Sequence, residues 1–147
     1  IGQRMAFSGA DHLVISVRDI DQGIDTWQNK LGLTLSHKVD LPEVGICQAF
    51  FLLEDDTFIE LIAPMSDSSP IAKTLESRGE GVHTVALKVD DIDVAIEHLA
   101  SQGVQLIGVG SPQVFIHPKS ANGVRIQLWP KTQPHRWKEQ PNNRGSG

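Results

Sequence analysis

The chain of 147 residues contains a similar segment twice. Residues 12–24 read HLVISVRDIDQGI and residues 84–96 read TVALKVDDIDVAI. A second pair relates FIELI at 58–62 to RIQLW at 125–129. A duplicated module predicts two half-sheets related by a pseudo-twofold axis, with equivalent inward positions of both copies lining one cleft. Those positions are His12, Glu60, Thr84 and Gln127.

Both copies show the hydrophobic pattern of a strand followed by an amphipathic helix. Residues 12–17 alternate, with His12, Val14 and Ser16 on one face, which is the period of a strand. Asp19 is predicted to cap a helix whose apolar stripe is Ile20, Ile24, Trp27 and Leu31, and Gly32 is predicted to end it. In the second copy, Asp91 and Gly103 take the same places.

Three further strands are predicted in each copy, at 33–39, 46–53 and 57–63 and then at 104–109, 113–117 and 123–129. The predicted fold class is therefore α+β, with two tandem βαβββ modules that form one curved mixed sheet around a cleft. Residues 1–130 are predicted to be one domain. Module one covers about 8–65, a linker with a helix about 66–81, and module two about 82–130. Residues 131–147 are predicted to be a polar tail.

Composition narrows the class of partner. The net charge of −5 and the sequence pI near 5.6 argue against nucleic acid or an anionic membrane. No apolar run approaches the ~20 residues that cross a bilayer. Cys47 is the one cysteine, so a disulfide framework is excluded, and a cytoplasmic location is expected.

Short motifs in order along the chain resemble those of the vicinal oxygen chelate superfamily, which includes glyoxalase I, bleomycin-resistance proteins, extradiol dioxygenases and methylmalonyl-CoA epimerases. Within the superfamily, the sequences of these motifs are most similar to those of the epimerases. The matching segments are Asp11-His12, Leu41-Pro42-Glu43-Val44-Gly45, Glu60-Leu61-Ile62-Ala63-Pro64, Ser69-Pro70-Ile71-Ala72, Val89-Asp90-Asp91-Ile92 and His117-Pro118-Lys119-Ser120.

The resemblance implies a divalent metal (zinc, cobalt, nickel or manganese) held by inward side chains. Here these would be His12, Glu60 and Gln127. It also implies that a carboxylate abstracts the proton next to a thioester carbonyl, and that the protein is a homodimer. Glu60 would then be the base, and His12 would help to polarise the substrate oxygen.

Two positions depart from the pattern that the resemblance implies. Thr84 occupies the second-module histidine position, with His83 beside it, and Gln127 occupies the position of a carboxylate. A glutamine amide can bind a metal but cannot act as a base. A bulge near residue 84 would turn His83 inward, because one extra residue reverses the faces of a strand.

Each candidate also has a structural interpretation. His12 and Glu60 would form a buried ion pair. Gln127, predicted as a substrate contact, would instead be a hydrogen-bonded core amide, and Thr84, predicted to donate a hydrogen bond to a bound oxygen, would instead fill space. Gln48 is predicted to point inward as a substrate contact, in place of a second carboxylate. Lys119, or else Arg125, would bind a phosphate or carboxylate of a long substrate, although an exposed hairpin turn is the preferred explanation of Lys119.

Two functions remain open on the sequence. The first is a glyoxalase- or epimerase-like enzyme, an isomerase or lyase, that abstracts a proton next to a carbonyl or thioester of a small acyl substrate. The second is a metal-free protein of the bleomycin-resistance type that binds a small molecule. The low aromatic content, 5%, argues against a drug binder that works by stacking.

Overall fold

A computed structural model describes residues 6–134 of the chain. Its elements, in chain order, are β1 (Phe7–Ser16), α1 (Ile20–Ile24), a π-helical segment (Asp25–Lys30), β2 (Thr34–Leu41), β3 (Ile46–Leu52), β4 (Phe58–Pro64), α2 (Pro70–Arg78), β5 (Gly81–Val89), α3 (Ile92–Ser101), β6 (Leu106–Ile107), β7 (Val114–Ile116), a 3₁₀ turn (Pro118–Ser120) and β8 (Ile126–Pro130). The predicted α+β class and the βαβββ order of both modules are confirmed.

The described chain forms two compact units. The first-module unit is His12–Thr84, in which the strand order is β2-β3-β4-β1, with β1 parallel to β4 and the other pairs antiparallel. The second-module unit consists of the described residues within Ile1–Asp11 and Val85–Gly147. Its strand order is β5-β8-β7-β6, and β5 is parallel to β8.

The first helix differs from the prediction in its second half. From Asp25 onward the chain winds as a π-helix, and Leu31 N donates to Thr26 O at 2.9 Å, five residues back. A wider turn rotates later residues away from the stripe that a 3.6-residue period predicts. Leu31 is consequently 56% exposed, so its predicted place on the buried stripe is wrong. Trp27, one turn earlier, still packs against the core.

Aspartate caps begin both module helices, as predicted. Asp19 Oδ1 accepts a hydrogen bond from Gln22 N at 2.9 Å. Asp91 Oδ1 accepts from both Asp93 N and Val94 N, at 3.0 and 3.1 Å. These bonds satisfy amide groups that the first turn of a helix leaves without an intrahelical acceptor.

Replacing Asp91 with Ala is expected to lower the free energy of unfolding by about 1 kcal/mol, because two amides lose their acceptor. Urea unfolding followed by circular dichroism measures the change. The Asp91→Asn variant keeps a capping oxygen and should lose at most a few tenths of a kcal/mol. Equal losses in both variants would contradict capping as the role of Asp91.

Opposite faces of the first half-sheet have different partners. One face packs on α1 and the π-helical segment, through a cluster that includes Val17, Ala49, Phe51, Ile59 and Leu61. The other face packs in part on α2, where Ile71 and Leu75 contact Val14 and Ile62. In the second-module unit, Ala95 and Leu99 of α3 pack on Val89, Val114, Ile116 and Leu128.

Most of the predicted tail, residues 135–147, lies outside the described residues. At its beginning, Lys131 Nζ lies 3.2 Å from Asp90 Oδ1, and Lys131 N donates to Val89 O. Among the described residues, no helix is long and apolar enough to cross a membrane.

Candidate functional site

The strand register places three predicted site residues on one face of the first half-sheet. His12 is opposite Phe58 in the β1–β4 pair, and Phe50 is opposite Glu60 in the β3–β4 pair. Gln48, two residues from Phe50, shares that face because side chains alternate along a strand. We call this surface the His12 face. The sequence predicted the inward positions of His12 and Glu60 from the repeat, and that of Gln48 from strand alternation.

A buried hydrogen bond joins the two polar side chains at the centre of this face. Gln48 Nε2 donates to Glu60 Oε2 at 2.8 Å. Gln48 is 0% exposed and Glu60 is 1% exposed. The amide therefore holds the carboxylate in one orientation. The second polar atom of Gln48, Oε1, is buried and has no hydrogen-bond partner among residues 6–134, which leaves it as an acceptor for a ligand.

An aromatic stack fixes His12. Its imidazole is fully buried and lies parallel to the Phe58 ring, with centroids 4.6 Å apart and an interplanar angle of 16°. Phe58 in turn contacts Phe50 in a tilted arrangement at 5.8 Å. Packing of this kind restricts the imidazole to a narrow range of orientations.

His37, which the sequence did not single out, ends the same row of rings. It stacks on Phe50 at 4.7 Å and 18°. A β-bulge between Leu35 and His37 reverses the alternation of β2, so Leu35 is opposite Phe51 and His37 is opposite Phe50. Burial lowers the pKa of His37, which favours the neutral imidazole. The bulge carries no clear sequence signal.

At the C-terminal end of the first-module unit, Thr84 is buried and His83 is not. Thr84 is 4% exposed, whereas His83 is half-buried, and His83 Nδ1 lies 2.8 Å from Thr84 Oγ1. The β5–β8 pairing runs without a register shift from Val85 to Val89. A hydroxyl that contacts an imidazole can hold that ring or bind a ligand oxygen, so the role predicted for Thr84 stays a prediction.

Gln127 lies in the second-module unit, opposite Ala86 in β5 and Phe115 in β7. It is 4% exposed. On the same face, the Arg125 guanidinium covers the Phe115 ring, with Cζ 4.2 Å from the ring centroid. Burial lowers the pKa of Arg125. We call this surface the Gln127 face.

Lys119 lies in the exposed 3₁₀ turn of Pro118–Ser120. Its backbone amide donates to His117 Nδ1 at 3.0 Å, which caps the turn. This geometry accounts for the His-Pro-Lys motif as local structure. The predicted contact of the Lys119 side chain with a substrate stays a prediction.

The His12 face carries few ligands of the kinds that transition metals prefer. Among residues 6–134, no group of three or more His, Cys, Asp or Glu could hold a metal ion. The His12 face offers Glu60 and an amide beside one imidazole, while His37 is separated from His12 by two phenylalanine rings. Sites for these metals usually gather more imidazole, thiolate or carboxylate ligands. The predicted metal set of His12, Glu60 and Gln127 includes an amide and draws on both units, and it stays a prediction.

The geometry defines a protein with βαβββ modules and a carboxylate buried on one face of a half-sheet. A family model described as the Glyoxalase/Bleomycin resistance protein/Dioxygenase superfamily matches residues 11–122. The chain belongs to this superfamily, as its motifs indicated.

Several of the similar proteins are methylmalonyl-CoA epimerases. The mitochondrial enzyme of Dictyostelium discoideum is 36% identical over 126 residues, which are 80% of this chain and 75% of that protein. The crystal structure of the Mycobacterium tuberculosis enzyme is 37% identical, with a TM-score of 0.70, and the match covers 87% of this chain and 90% of that one. A Streptomyces coelicolor epimerase variant in complex with 2-nitronate-propionyl-CoA is 27% identical with a TM-score of 0.68, over 84% and 96% of the two chains.

Proposed function

We propose that this protein is an epimerase-like enzyme that abstracts the proton next to the thioester carbonyl of an acyl-CoA. The observation that supports it most is the Gln48–Glu60 hydrogen bond, which orients a buried carboxylate on the His12 face. The similarity to methylmalonyl-CoA epimerases supplies the substrate class.

Glu60 is the proposed general base. One of its oxygens accepts the bond from Gln48, and the carboxylate takes the proton from the α carbon. The electron pair of the broken C–H bond moves to the carbonyl, forming an enolate. A carboxylate in a water-poor site abstracts a proton without competing hydration, and its fixed orientation keeps the acceptor oxygen in place.

The enolate oxygen needs hydrogen-bond donors, because the charge that develops on it is stabilised by groups already in position. His12 is the proposed donor on this face, with its ring held by Phe58. Gln48 is neutral and cannot act as a second base. Glu60 therefore also returns the proton, and a change of configuration requires the enolate to present its other side before reprotonation.

Metal assistance, which the resemblance implies, stays a prediction. The metal content of protein purified without a histidine tag, measured by plasma mass spectrometry, tests it. Near-stoichiometric metal that both His12→Ala and Glu60→Ala remove would show that these residues bind an ion. The homodimer and the cytoplasmic location also stay predictions.

The proposed reaction is tested by incubating the protein in D₂O with methylmalonyl-CoA, propionyl-CoA and ethylmalonyl-CoA. We expect deuterium to enter the α carbon of at least one ester, detected by mass spectrometry, at a rate well above the protein-free control. A heat-denatured sample controls for exchange that does not require the folded protein. Saturable binding of the esters without any exchange would contradict an enzyme and favour the small-molecule binding protein instead.

A further inference from the structure

Arg125 is a cation that has no part in the proposed proton transfer. It immediately precedes β8, and its carbonyl accepts a hydrogen bond from Val85 N at 3.0 Å, which fixes the backbone there. The guanidinium is stacked on Phe115, which lies opposite Gln127. The side chain is therefore held on the Gln127 face and not extended into solvent.

The charge of Arg125 is not neutralised within the described chain. None of the ion pairs that Arg18, Lys30, Lys38 and Lys131 make within residues 6–134 involves Arg125. Arg125 Nε is buried and has no hydrogen-bond partner among these residues. Buried donors nearly always have an acceptor, so an N–H without one points to an acceptor that arrives with a ligand.

The chemistry of the acceptor follows from the guanidinium. Its planar fork of N–H groups matches the two oxygens of a carboxylate or phosphate, and it remains charged at any physiological pH. Because one face of the guanidinium covers the Phe115 ring, its N–H groups donate outward in the plane of the group. Gln127, buried on the same face, adds an amide that can donate to or accept from the same group.

We infer that Arg125, stacked on Phe115, binds an oxyanion of the ligand and thereby selects acyl-CoA esters by their charge. The oxyanion is either a free carboxylate on the acyl group or a phosphate of CoA. The identity of the ligand as an acyl-CoA rests on the proposed function, whereas the oxyanion site itself does not.

Equilibrium binding by isothermal titration separates the two sources. The ligands are methylmalonyl-CoA, propionyl-CoA, which lacks the carboxylate, and free CoA. The Arg125→Met variant is expected to bind about 10- to 100-fold more weakly wherever the oxyanion is engaged. A loss confined to methylmalonyl-CoA identifies the carboxylate, and an equal loss for all three identifies a phosphate. Affinities unchanged within about twofold would overturn the inference.

Two control variants accompany Arg125→Met. Lys30→Met removes the same charge from an exposed surface position and should leave all three affinities unchanged. Arg125→Lys keeps the charge but not the fork and should recover only part of the affinity. If Arg125→Met does not fold, the loss of affinity is measured on Arg125→Lys instead.

A second measurement does not depend on the proposed function. The Nε–H resonance of Arg125, assigned by its loss in Arg125→Lys, is followed in ¹⁵N NMR spectra during titration with acetate and with inorganic phosphate. A saturable shift with either anion supports the oxyanion site even if no CoA ester binds. No shift with either anion would overturn it. If the native protein binds none of the esters but the resonance shifts, the proposed function fails and the oxyanion site stands.

Discussion

The Glu60→Gln variant is expected to exchange the α-proton of the acyl-CoA substrate about 10²- to 10⁴-fold more slowly than the native protein, the usual contribution of a general base. Glutamine has nearly the same shape as glutamate, and its carbonyl oxygen can still accept the bond from Gln48 Nε2, now 2.8 Å from Glu60 Oε2. The substitution therefore removes basicity and leaves the packing. Initial rates of deuterium incorporation in D₂O measure the effect.

The exchanged pair Gln48→Glu/Glu60→Gln is the matched control. It keeps one carboxylate and one amide in the same buried contact but places the carboxylate on β3 instead of β4. We expect its thermal stability to stay close to that of the native protein and its exchange rate to stay low. Full exchange activity in the single Glu60→Gln variant would contradict the assignment of Glu60 as the base.

The second large effect is expected at Phe58. This ring is 0% exposed and contacts both the His12 imidazole and the Phe50 ring. Phe58→Ala should lower the free energy of unfolding by about 3–5 kcal/mol, because it removes a buried ring and leaves a cavity. Denaturant unfolding measures the change, and a loss below about 1 kcal/mol would contradict the packing described.

Phe51 provides the control that separates packing from catalysis. It is equally buried but packs against α1 on the opposite face of the same half-sheet. Phe58→Leu and Phe51→Leu should destabilise the protein to a similar extent. Only Phe58→Leu should also slow α-proton exchange, because Phe58, unlike Phe51, stacks on the His12 imidazole. Equal activity losses in the two variants would assign the effect of Phe58 to stability alone.

The Gln48–Glu60 pair places one amide and one carboxyl group in a buried contact. Both side chains are buried, and the Gln48 amide donates to the Glu60 carboxyl group. A second carboxylate at Gln48 would place two like charges in contact, which opposes ionisation of both. Under the proposed mechanism, Glu60 is therefore the single base that both removes and returns the proton.

The sequence determined those features that depend on local periodicity. Strand alternation placed His12, Gln48 and Glu60 on a common face, and aspartates at positions 19 and 91 capped the module helices. The repeat predicted two βαβββ modules. These features follow from which side chains are adjacent along a strand or a turn of helix, and that information is present in the chain itself.

Only the tertiary structure decided the rest. The bulge in β2 turned His37 onto the His12 face, and the π-helical segment moved Leu31 off the buried stripe, because one residue added to a period reverses or rotates every later side chain. The stack of Arg125 on Phe115 depends on β7 and β8 lying side by side, with Phe115 opposite Gln127. Such pairings join residues distant in the chain, so their register is set by packing across the sheet and not by local pattern.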